Sequence, residues 1–286
     1  MNLLKNSFPA FAALLLAATL SAQQSNLLSA GEWSSETVAD GITLRQAAFA
    51  GNLFGANQYL CVLEVAPGAR FDIVPSAADT LELTSDLARQ AGAAAAVNGS
   101  FFNMRPPYGS VNYLRVDGAD VAPNAITPGR YPGSGRNTRQ TGAVATFRGE
   151  LFIVKADDLR SWEKYIAAED VLTAGPMLLA GGSPEAVAAD SFNKTRHPRT
   201  AVGRRADGTV LLVTADGRSE QAAGLSMEEL QQLMTALGCT DAINLDGGGS
   251  TAMVIGGAVV NHPSDNRTFD AAGERIVANA ICVKAK

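Results

Sequence analysis

Apolar and polar positions along the chain follow a pattern that predicts strands more often than helices. Short apolar runs, many rich in β-branched residues, are bounded by Gly, Pro, Asn or Asp, as is typical of strands and turns. Strands are predicted at 42–49, 59–65 and 70–74, which we expect to form an antiparallel meander, and at 93–97, 143–147, 151–154, 171–174, 209–214, 242–245 and 273–281. We therefore expect an α+β fold with mixed, largely antiparallel curved sheets, a few packed helices and a single domain.

One predicted helix has signals at both ends. Ser226 is followed three residues later by Glu229, which forms a capping box, and Gly238 stands where a left-handed cap is expected. Strands are predicted on both sides, so the unit is most simply a right-handed parallel crossover. Both strands would then end at the same sheet edge. A second, shorter helix is predicted at 83–90.

The second strand of this unit runs into residues 244–251, Asn-Leu-Asp-Gly-Gly-Gly-Ser-Thr. Asp246 is thereby presented at a strand end, and the glycines let the main chain turn sharply or approach a ligand. Asp216 and Arg218 follow the first strand, so we expect them beside Asp246, where open α/β sheets bind ligands. The alternative is a turn in which Asp246 caps its own backbone.

A similar arrangement occurs at residues 98–103, Asn-Gly-Ser-Phe-Phe-Asn, which follow an apolar strand. This stretch is a second candidate for a ligand site, and the alternative is a turn over an aromatic cluster. Residues 104–141 are rich in Pro, Gly, Asn and Arg, which is typical of a lid or binding loop, or of a surface excursion. Arg130, Arg136 and Arg139 belong to this loop.

Residues 196–205 contain four arginines and no acid, in a chain whose net charge is −5. Arginine suits carboxylate or phosphate, so the cluster predicts an anion site, with a solvated strand face as the alternative. Arg199 and Thr200 lead into an apolar strand and are expected to point inward. We therefore expect Arg199→Ala to lose phosphate binding and Arg205→Ala to matter little. Arg267 and Arg275 are further candidate anion ligands.

Residues 1–22 have the pattern of a signal peptide: Lys5, an apolar core over 8–20, and a plausible cleavage site after Ala22. This predicts export to the periplasm or the medium, with residues 23–286 as the mature domain. Loss of Lys5 makes the net charge −6 (22 − 28), which disfavours nucleic acid or an anionic membrane as a partner. No later stretch approaches the length of a membrane span. The oligomeric state stays open.

Cysteine and histidine usage limits the chemistry. The three cysteines, Cys61, Cys239 and Cys282, lie in apolar contexts without C-x-x-C spacing, so buried structural thiols are expected. One disulfide of undetermined pairing is the alternative after export. With only two histidines, a metal cage built on imidazoles is disfavoured. No cofactor is predicted with certainty, and a single divalent cation on Asp216 or Asp246 stays open.

Taken together, these motifs resemble the phosphodiester glycosidase family over roughly residues 60–283. The matching stretches are 98–102, Gly175-Pro176, 199–203, Asp216-Gly217-Arg218, 225–230 and 245–250. The resemblance implies a hydrolase that cleaves a sugar 1-phosphodiester, such as N-acetylglucosamine 1-phosphate linked to another sugar or polymer, into free sugar and a phosphomonoester. Two alternatives are a non-catalytic module that binds cell-wall material or exopolysaccharide, and a metal-dependent phosphodiesterase that cleaves the P–O bond.

The resemblance also implies which residues act. The expected partner is a sugar-phosphate or glycan substrate, with a carboxylate near the anomeric carbon and donors for phosphate and sugar hydroxyls. The candidate catalytic residues are Asp246, Asp216 and Arg199. The candidate substrate-binding residues are Asn98, Gly99, Ser100, Phe102, Thr200, Arg218, Gly247, Gly248, Ser250 and Arg267.

Overall fold

The computed structural model describes residues 23–124 and 140–286. The predicted signal peptide at 1–22 lies outside these residues, as do Arg130, Arg136 and Arg139 of the predicted lid. Strands account for 43% and helices for 15%, so the fold is α+β in outline with a larger β share than expected. No helix in the described part of the chain is both long and apolar enough to cross a membrane.

The largest sheet has eight strands and joins distant parts of the chain. Each strand runs antiparallel to its hydrogen-bonded neighbours. In spatial order the strands are β1 (Ser34–Ala39), β2 (Ile42–Leu53), β3 (Ala56–Val65), β17 (Val210–Ala215), β16 (Arg199–Arg205), β18 (Cys239–Asn244), β14 (Met177–Ala180) and β15 (Ser183–Pro184).

Two five-stranded sheets and two short pairs complete the β structure, again with antiparallel neighbours. One five-stranded sheet has the order β10 (Ala119–Ala122), β9 (Leu114–Val116), β13 (Asp170–Ala174), β11 (Gly142–Phe147), β12 (Glu150–Lys155). The other has β20 (Ala258–Val259), β19 (Met253–Ile255), β6 (Ala95–Asn98), β22 (Asn279–Lys284), β4 (Arg70–Pro75). The pairs are β21 (Ile276–Val277) with β5 (Glu82–Leu83), and β7 (Phe102–Asn103) with β8 (Gly109–Ser110).

Within residues 23–124 and 140–286 the α-helices are short: α1 (23–30), α2 (Thr84–Gln90), α3 (Ser191–Lys194) and α4 (Met227–Ala236). α4 confirms the predicted caps, because the Ser226 hydroxyl accepts from Glu229 N at 3.2 Å and Glu229 Oε2 accepts from Ser226 N at 2.9 Å. Gly238 follows with a φ of +83°. The buried face of α4 packs on one side of the eight-stranded sheet.

The opposite side of that sheet faces the largest apolar cluster, which contains residues of both five-stranded sheets. Apolar side chains along β17 alternate between the two clusters, with Leu212 in one and Val213 in the other. Successive residues of β17 point to opposite faces of the sheet, and both faces are buried. Nearly every position of this strand is therefore apolar. The candidate site lies at one edge of this core, at the carboxyl ends of β17 and β18.

The predicted crossover is present with one difference. β17 and β18 both run antiparallel to β16, which lies between them, so they are parallel to each other but not hydrogen-bonded. Their carboxyl ends therefore lie at the same edge, as predicted. Two other predictions were wrong. β4 pairs with β22 in a different sheet, so no meander of β2, β3 and β4 exists, and the closing strand is β22 at 279–284 instead of 273–281.

The three cysteines confirm the prediction of buried thiols. Cys61, Cys239 and Cys282 are all free and buried. Burial raises the pKa of each thiol to about 12. None of them is therefore a ready nucleophile near neutral pH, because the thiolate is the reactive form.

Candidate functional site

Asp216 and Asp246 occupy the same edge of the eight-stranded sheet. Asp216 directly follows β17, and Asp246 follows β18 by two residues. The first residue of β16, Arg199, lies between the two strand ends. Two strand spacings of about 4.8 Å put the backbones of β17 and β18 roughly 10 Å apart. This separation brings the predicted site residues into one neighbourhood.

Asn98 fastens the loop that carries Asp246. Its side-chain amide donates to the main-chain oxygen of Asp246 at 2.8 Å, and its oxygen accepts from Ala252 N at 3.2 Å and Thr200 Oγ1 at 2.7 Å. Asp246 N donates to Gly99 O at 3.1 Å. Asn98 and Thr200 are fully buried, so water does not compete for these hydrogen bonds. The bonds therefore hold the loop in place. We assign them a positioning role in place of the predicted contact with substrate.

The loop glycines are required by close packing as well as by the turn. A Cβ on Gly247 would lie 2.6 Å from the Pro198 carbonyl oxygen, and one on Gly217 would lie 2.8 Å from Pro198 N. Gly248 N also donates to Pro198 O at 2.8 Å. The segment that leads into β16 is therefore clamped between two glycine loops, one after β17 and one after β18. Asp246 Oδ1 accepts from Gly247 N at 3.0 Å, so part of the alternative capping interpretation also holds.

Two arginines flank the Gly248–Gly249 turn. A Cβ on Gly248 would lie 2.8 Å from an Arg218 guanidinium nitrogen, and one on Gly249 would collide with Arg275. Arg275 also pairs with Asp265. Burial and the nearby Arg275 lower the pKa of Arg218, while Asp265 and Asp246 act in the opposite direction. Arg218 therefore lies within electrostatic reach of both Arg275 and Asp246.

Arg199 points inward as predicted, but its surroundings do not suit an anion ligand. The side chain is only 1% exposed, and its guanidinium donates to the carbonyl oxygens of Leu225, Phe192 and Thr195 at 2.8, 2.8 and 2.9 Å. The guanidinium also lies 4.9 Å from the Phe192 ring centre. These contacts tie three chain segments together, so we revise Arg199 from a catalytic candidate to a positioning residue.

The other members of the predicted cluster are also used within the protein. Arg196 pairs with Glu229 of α4, and Arg205 pairs with Glu64 at 3.3 Å and donates to Leu237 O at 2.9 Å. These contacts disfavour an anion site at 196–205, and Arg218 and Arg275, which come from other loops, are the remaining candidate anion ligands.

The remaining candidates divide between the loop and its support. Ser100 N donates to Asn279 Oδ1 at 2.8 Å, and Ser100 Oγ donates to Thr173 O at 2.9 Å, so this serine supports the site from behind. Phe102 packs against the cluster around α2, away from the loop. Arg267 is exposed on the segment that also carries Arg275.

Asp216 is buried and surrounded by donors. It is 1% exposed; its Oδ1 accepts from Asn261 Nδ2 at 2.8 Å, and its Oδ2 accepts from His262 N at 3.0 Å and lies 2.7 Å from His262 Nδ1. Burial raises the pKa of Asp216, and the His262 and Asn261 hydrogen bonds oppose that shift. With N–H groups facing both oxygens, Asp216 does not suit a cation, and it has no room to attack a substrate.

His262 is the functional candidate that the sequence analysis missed. Its ring stacks on Phe269 with centres 3.7 Å apart and an interplanar angle of 14°, and it meets the edge of Tyr59 at 4.7 Å. His262 lies in the long connection between β20 and β21, and none of its neighbours in the sequence indicates a functional role. Only the fold brings it to Asp216. No pattern in the chain links residues 216, 262 and 269.

Several buried polar atoms near the glycine turn have no protein partner among the described residues. They are Ser250 Oγ, Thr251 Oγ1 and Arg275 Nε. Buried polar atoms are normally hydrogen-bonded, so unpartnered ones beside a loop are suited to a ligand or to water. Ser250 therefore remains a candidate for substrate binding.

The described residues contain no group of three or more His, Cys, Asp or Glu side chains arranged to hold a metal ion. A cation at Asp246 would have to be completed by water, main-chain oxygens or substrate oxygens, which is a mode of binding that Mg²⁺ uses.

A protein-family model described as phosphodiester glycosidase matches residues 91–284, more than half of the chain. The chain is 41% identical over 70 residues to the SPbeta prophage-derived uncharacterized protein YomE of Bacillus subtilis (strain 168), which covers 24% of this chain and 11% of that protein. It is 40% identical over 68 residues to the N-acetylglucosamine-1-phosphodiester alpha-N-acetylglucosaminidase of Homo sapiens, which covers 24% and 13%. The matches thus span under a sixth of these relatives' length.

Solved structures share the fold at low sequence identity. The catalytic domain of the zebrafish N-acetylglucosamine-1-phosphodiester alpha-N-acetylglucosaminidase, auto-inhibited by its pro-peptide, aligns with a TM-score of 0.66 and 17% identity over 89% of this chain and 84% of that one. A hypothetical protein from Synechocystis aligns with a TM-score of 0.60 and 16% identity over 88% and 63%. These similarities support the architecture described above.

Proposed function

The chain belongs to the phosphodiester glycosidase family, a family of hydrolases, and on this premise we propose that it cleaves a sugar 1-phosphodiester into free sugar and a phosphomonoester. The curated relatives named for this activity act on an N-acetylglucosamine 1-phosphodiester. We propose the same substrate class here, with N-acetylglucosamine 1-phosphate joined to another sugar or to a polymer. The signal-peptide pattern at 1–22 supports action after export.

The observation that carries this proposal is the grouping of Asp246 with two arginines at one glycine turn. Arg218 packs on Gly248 and Arg275 packs on Gly249, so both guanidinium groups lie at the turn that follows Asp246. A phosphodiester carries one negative charge, for which a guanidinium fork is well suited. The carboxylate of Asp246 would act at the anomeric carbon, which gains positive charge as the glycosidic bond breaks.

The chemistry needs little help from a general acid. Cleavage of the anomeric C–O bond expels a phosphomonoester, whose second pKa is about 6, so the departing oxygen requires little protonation. Arg218 and Arg275 stabilise the charge on this leaving group, and Asp246 acts at the anomeric carbon as a base or a nucleophile. One carboxylate with two arginines can thus replace the paired acids of most glycosidases.

The supporting residues keep this arrangement rigid. Asn98 holds the main chain of Asp246, and Arg199 joins β16 to carbonyl groups of two other segments behind the loop, 192–195 and Leu225. A site held within about 0.5 Å of its productive geometry depends on such support. Substrate is expected to contact the side of the Gly248–Gly249 turn on which Arg218 and Arg275 pack.

The test is a screen of sugar 1-phosphodiesters with the purified protein in water enriched in oxygen-18. We expect release of sugar with the label on its anomeric hydroxyl, since C–O cleavage adds water at carbon. Label in the phosphate, together with loss of activity on chelation, would indicate a metal-dependent phosphodiesterase instead. Binding of the diesters without turnover would indicate a carbohydrate-binding module. Either result would overturn the proposed glycosidase activity.

A further inference from the structure

His262 is fixed on every side that the structure describes. Its Nδ1 lies 2.7 Å from the buried carboxylate of Asp216, and its main-chain N–H donates to the same oxygen at 3.0 Å. Phe269 stacks on one ring face, and Tyr59 meets the ring at an angle of 82°. These contacts hold the imidazole ring in one orientation, which is a stronger restraint than a surface histidine normally has.

The contacts fix which nitrogen is available for chemistry. The other donors to Asp216 are N–H groups, so its ionised carboxylate is an acceptor and Nδ1 carries the hydrogen. Nε2 then holds a lone pair on the opposite edge of the ring. Since Asp216 is 1% exposed while the His262 side chain is 23% exposed, the accessible edge is the one that bears Nε2.

The segment that carries His262 is also attached to the glycine turn. Asn261 Nδ2 donates both to Asp216 Oδ1 and to Thr251 O, the latter at 3.2 Å, and so joins β17 to the end of the loop after Asp246. Further along the same segment, Arg275 and Asp265 pack on Gly249. One connection therefore brings His262 and Arg275 to the same sheet edge.

The charged and titratable groups around the ring are few. Asp216 faces Nδ1, and Tyr59 has a pKa raised to about 12 by burial, by Cys61 and by Asp216, so it stays neutral in the working range. The Cys61 thiol also has a pKa raised to about 12, chiefly by burial. Asp270 is a solvent-exposed carboxylate whose pKa is lowered by hydrogen bonds from Thr268, Asn266 and Ala272, and to a smaller extent by the charge of His262.

We propose that His262, oriented by Asp216, is the proton-transfer residue of this site and activates the water that releases the sugar. The inference rests on the proposed glycosidase function and divides the chemistry between two residues. The carboxylate of Asp246 attacks the anomeric carbon, the C–O bond to phosphate breaks, and its electron pair leaves with the phosphomonoester. Water then attacks the glycosyl ester while Nε2 accepts its proton, and the carboxylate of Asp246 is restored. The imidazolium finally releases that proton to solvent or to the phosphomonoester.

A simpler role for the pair would be mechanical, since Asp216 and His262 anchor the long connection after β20. The two roles make different demands on the ring. An anchor needs only a donor at the Nδ1 position, whereas proton transfer needs Nε2. His262→Asn separates them, because the amide nitrogen of asparagine takes the place of Nδ1 and can still donate to Asp216.

The experiment compares wild type, His262→Asn and His197→Gln with a chromogenic N-acetylglucosamine 1-phosphodiester between pH 4 and 9. General-base groups contribute about 10²- to 10⁴-fold, so we expect His262→Asn to lose at least 100-fold in kcat at pH 7 with KM little changed. Its pH profile should also lose the acidic limb that a histidine general base produces. His197→Gln, which removes the other histidine, should retain that limb. Wild-type kcat and acidic limb in a folded His262→Asn protein would overturn the proposal.

A second measurement does not depend on turnover. In protein labelled with ¹⁵N-histidine, NMR should show His262 as the Nδ1–H tautomer, and N-acetylglucosamine 1-phosphate should shift its Nε2 resonance. An inactive wild type that shows this shift would contradict the proposed hydrolysis but retain His262 as a ligand-facing group. A ring in the Nε2–H tautomer, or one that N-acetylglucosamine 1-phosphate does not perturb, would contradict the role of His262 itself.

Discussion

The side-chain amide of Asn98 donates to the main-chain oxygen of Asp246 at 2.8 Å, although 148 residues separate the two in the chain. The same side chain accepts from Ala252 N and from Thr200 Oγ1. One buried asparagine therefore ties both ends of the glycine loop to β16 and β6. The position of the proposed catalytic carboxylate depends on this long-range contact.

Replacement of Asn98 should affect stability and activity together. Asn98→Ala removes four hydrogen bonds and leaves buried groups unpaired, so we expect the free energy of unfolding to fall by about 2 to 4 kcal/mol. Turnover should fall as well, because Asp246 is no longer held. Urea unfolding and kcat measure the two effects. Asn103→Ala, at an exposed asparagine that donates to Pro107 O at 3.2 Å, is the matched control and should change neither.

Substitution of Arg199 should affect stability, whereas substitution of Arg218 should affect ligand binding. Arg199→Ala should lower the free energy of unfolding by roughly 3 kcal/mol, because three buried carbonyl groups lose a charged donor. Arg218→Ala should leave unfolding almost unchanged and weaken phosphate-bearing ligands by about 10- to 100-fold, the equivalent of one charge-assisted hydrogen bond. Calorimetric titration and urea unfolding of both variants separate the roles. Selective loss of binding in a fully stable Arg199→Ala protein would restore Arg199 as the anion ligand.

Alanine substitution in the glycine turn tests whether Arg218, which packs on Gly248, belongs to the substrate site. Gly248 has a φ of +64° beside Arg218, whereas Gly256 has a φ of +57° with open space around its Cα. Alanine at either position incurs the strain of a left-handed conformation, about 1 kcal/mol. Only Gly248→Ala also displaces Arg218, so we expect it to raise KM by about tenfold, with Gly256→Ala unchanged in KM. Equal KM values for the two variants would place Arg218 outside the substrate site.

Asp216 should make stability depend on pH in a defined direction. Its pKa in the folded protein is raised by burial above the ordinary value of 3.8. Between the unfolded and folded pKa values the unfolded chain releases a proton that the native state keeps, so stability falls as the pH rises through that window. Relative to Asp216→Asn, wild type should therefore lose stability above about pH 4. Urea unfolding of both proteins from pH 3 to 7 measures the difference, and a relative gain of wild type with pH would show that the pKa is lowered.

The sequence was sufficient to predict those features that depend on residues close together in the chain. The capping box at Ser226 and the turn at Gly238 fixed both ends of α4, and the order of β17, α4 and β18 put Asp216 and Asp246 at one edge. The apolar pattern also predicted nine strands, among them β3, β11 and β17, to within a few residues. It could not predict which strands pair, because the same alternation fits β4 in either sheet.

The side chains of the site were less predictable. Arg199 carries the same sequence signal whether it faces a ligand or three carbonyl groups, and only the packing of Phe192 and Leu225 decides. The pairing of Asp216 with His262 spans 46 residues. No spacing rule covers such a contact, since it arises from the way two loops meet at a sheet edge.

The most direct test of the account is the turnover of Asp246→Asn. The isostere can keep the loop's hydrogen bonds, but it cannot attack carbon or accept a proton. Asp207→Asn, which alters an exposed carboxylate at the turn between β16 and β17, serves as the control. With an N-acetylglucosamine 1-phosphodiester, we predict that Asp246→Asn folds and binds substrate but loses kcat by several orders of magnitude. A folded Asp246→Asn protein with kcat within about tenfold of wild type, and a stability change of roughly 1 kcal/mol as for a single lost hydrogen bond, would contradict the central claim and reduce Asp246 to a turn cap.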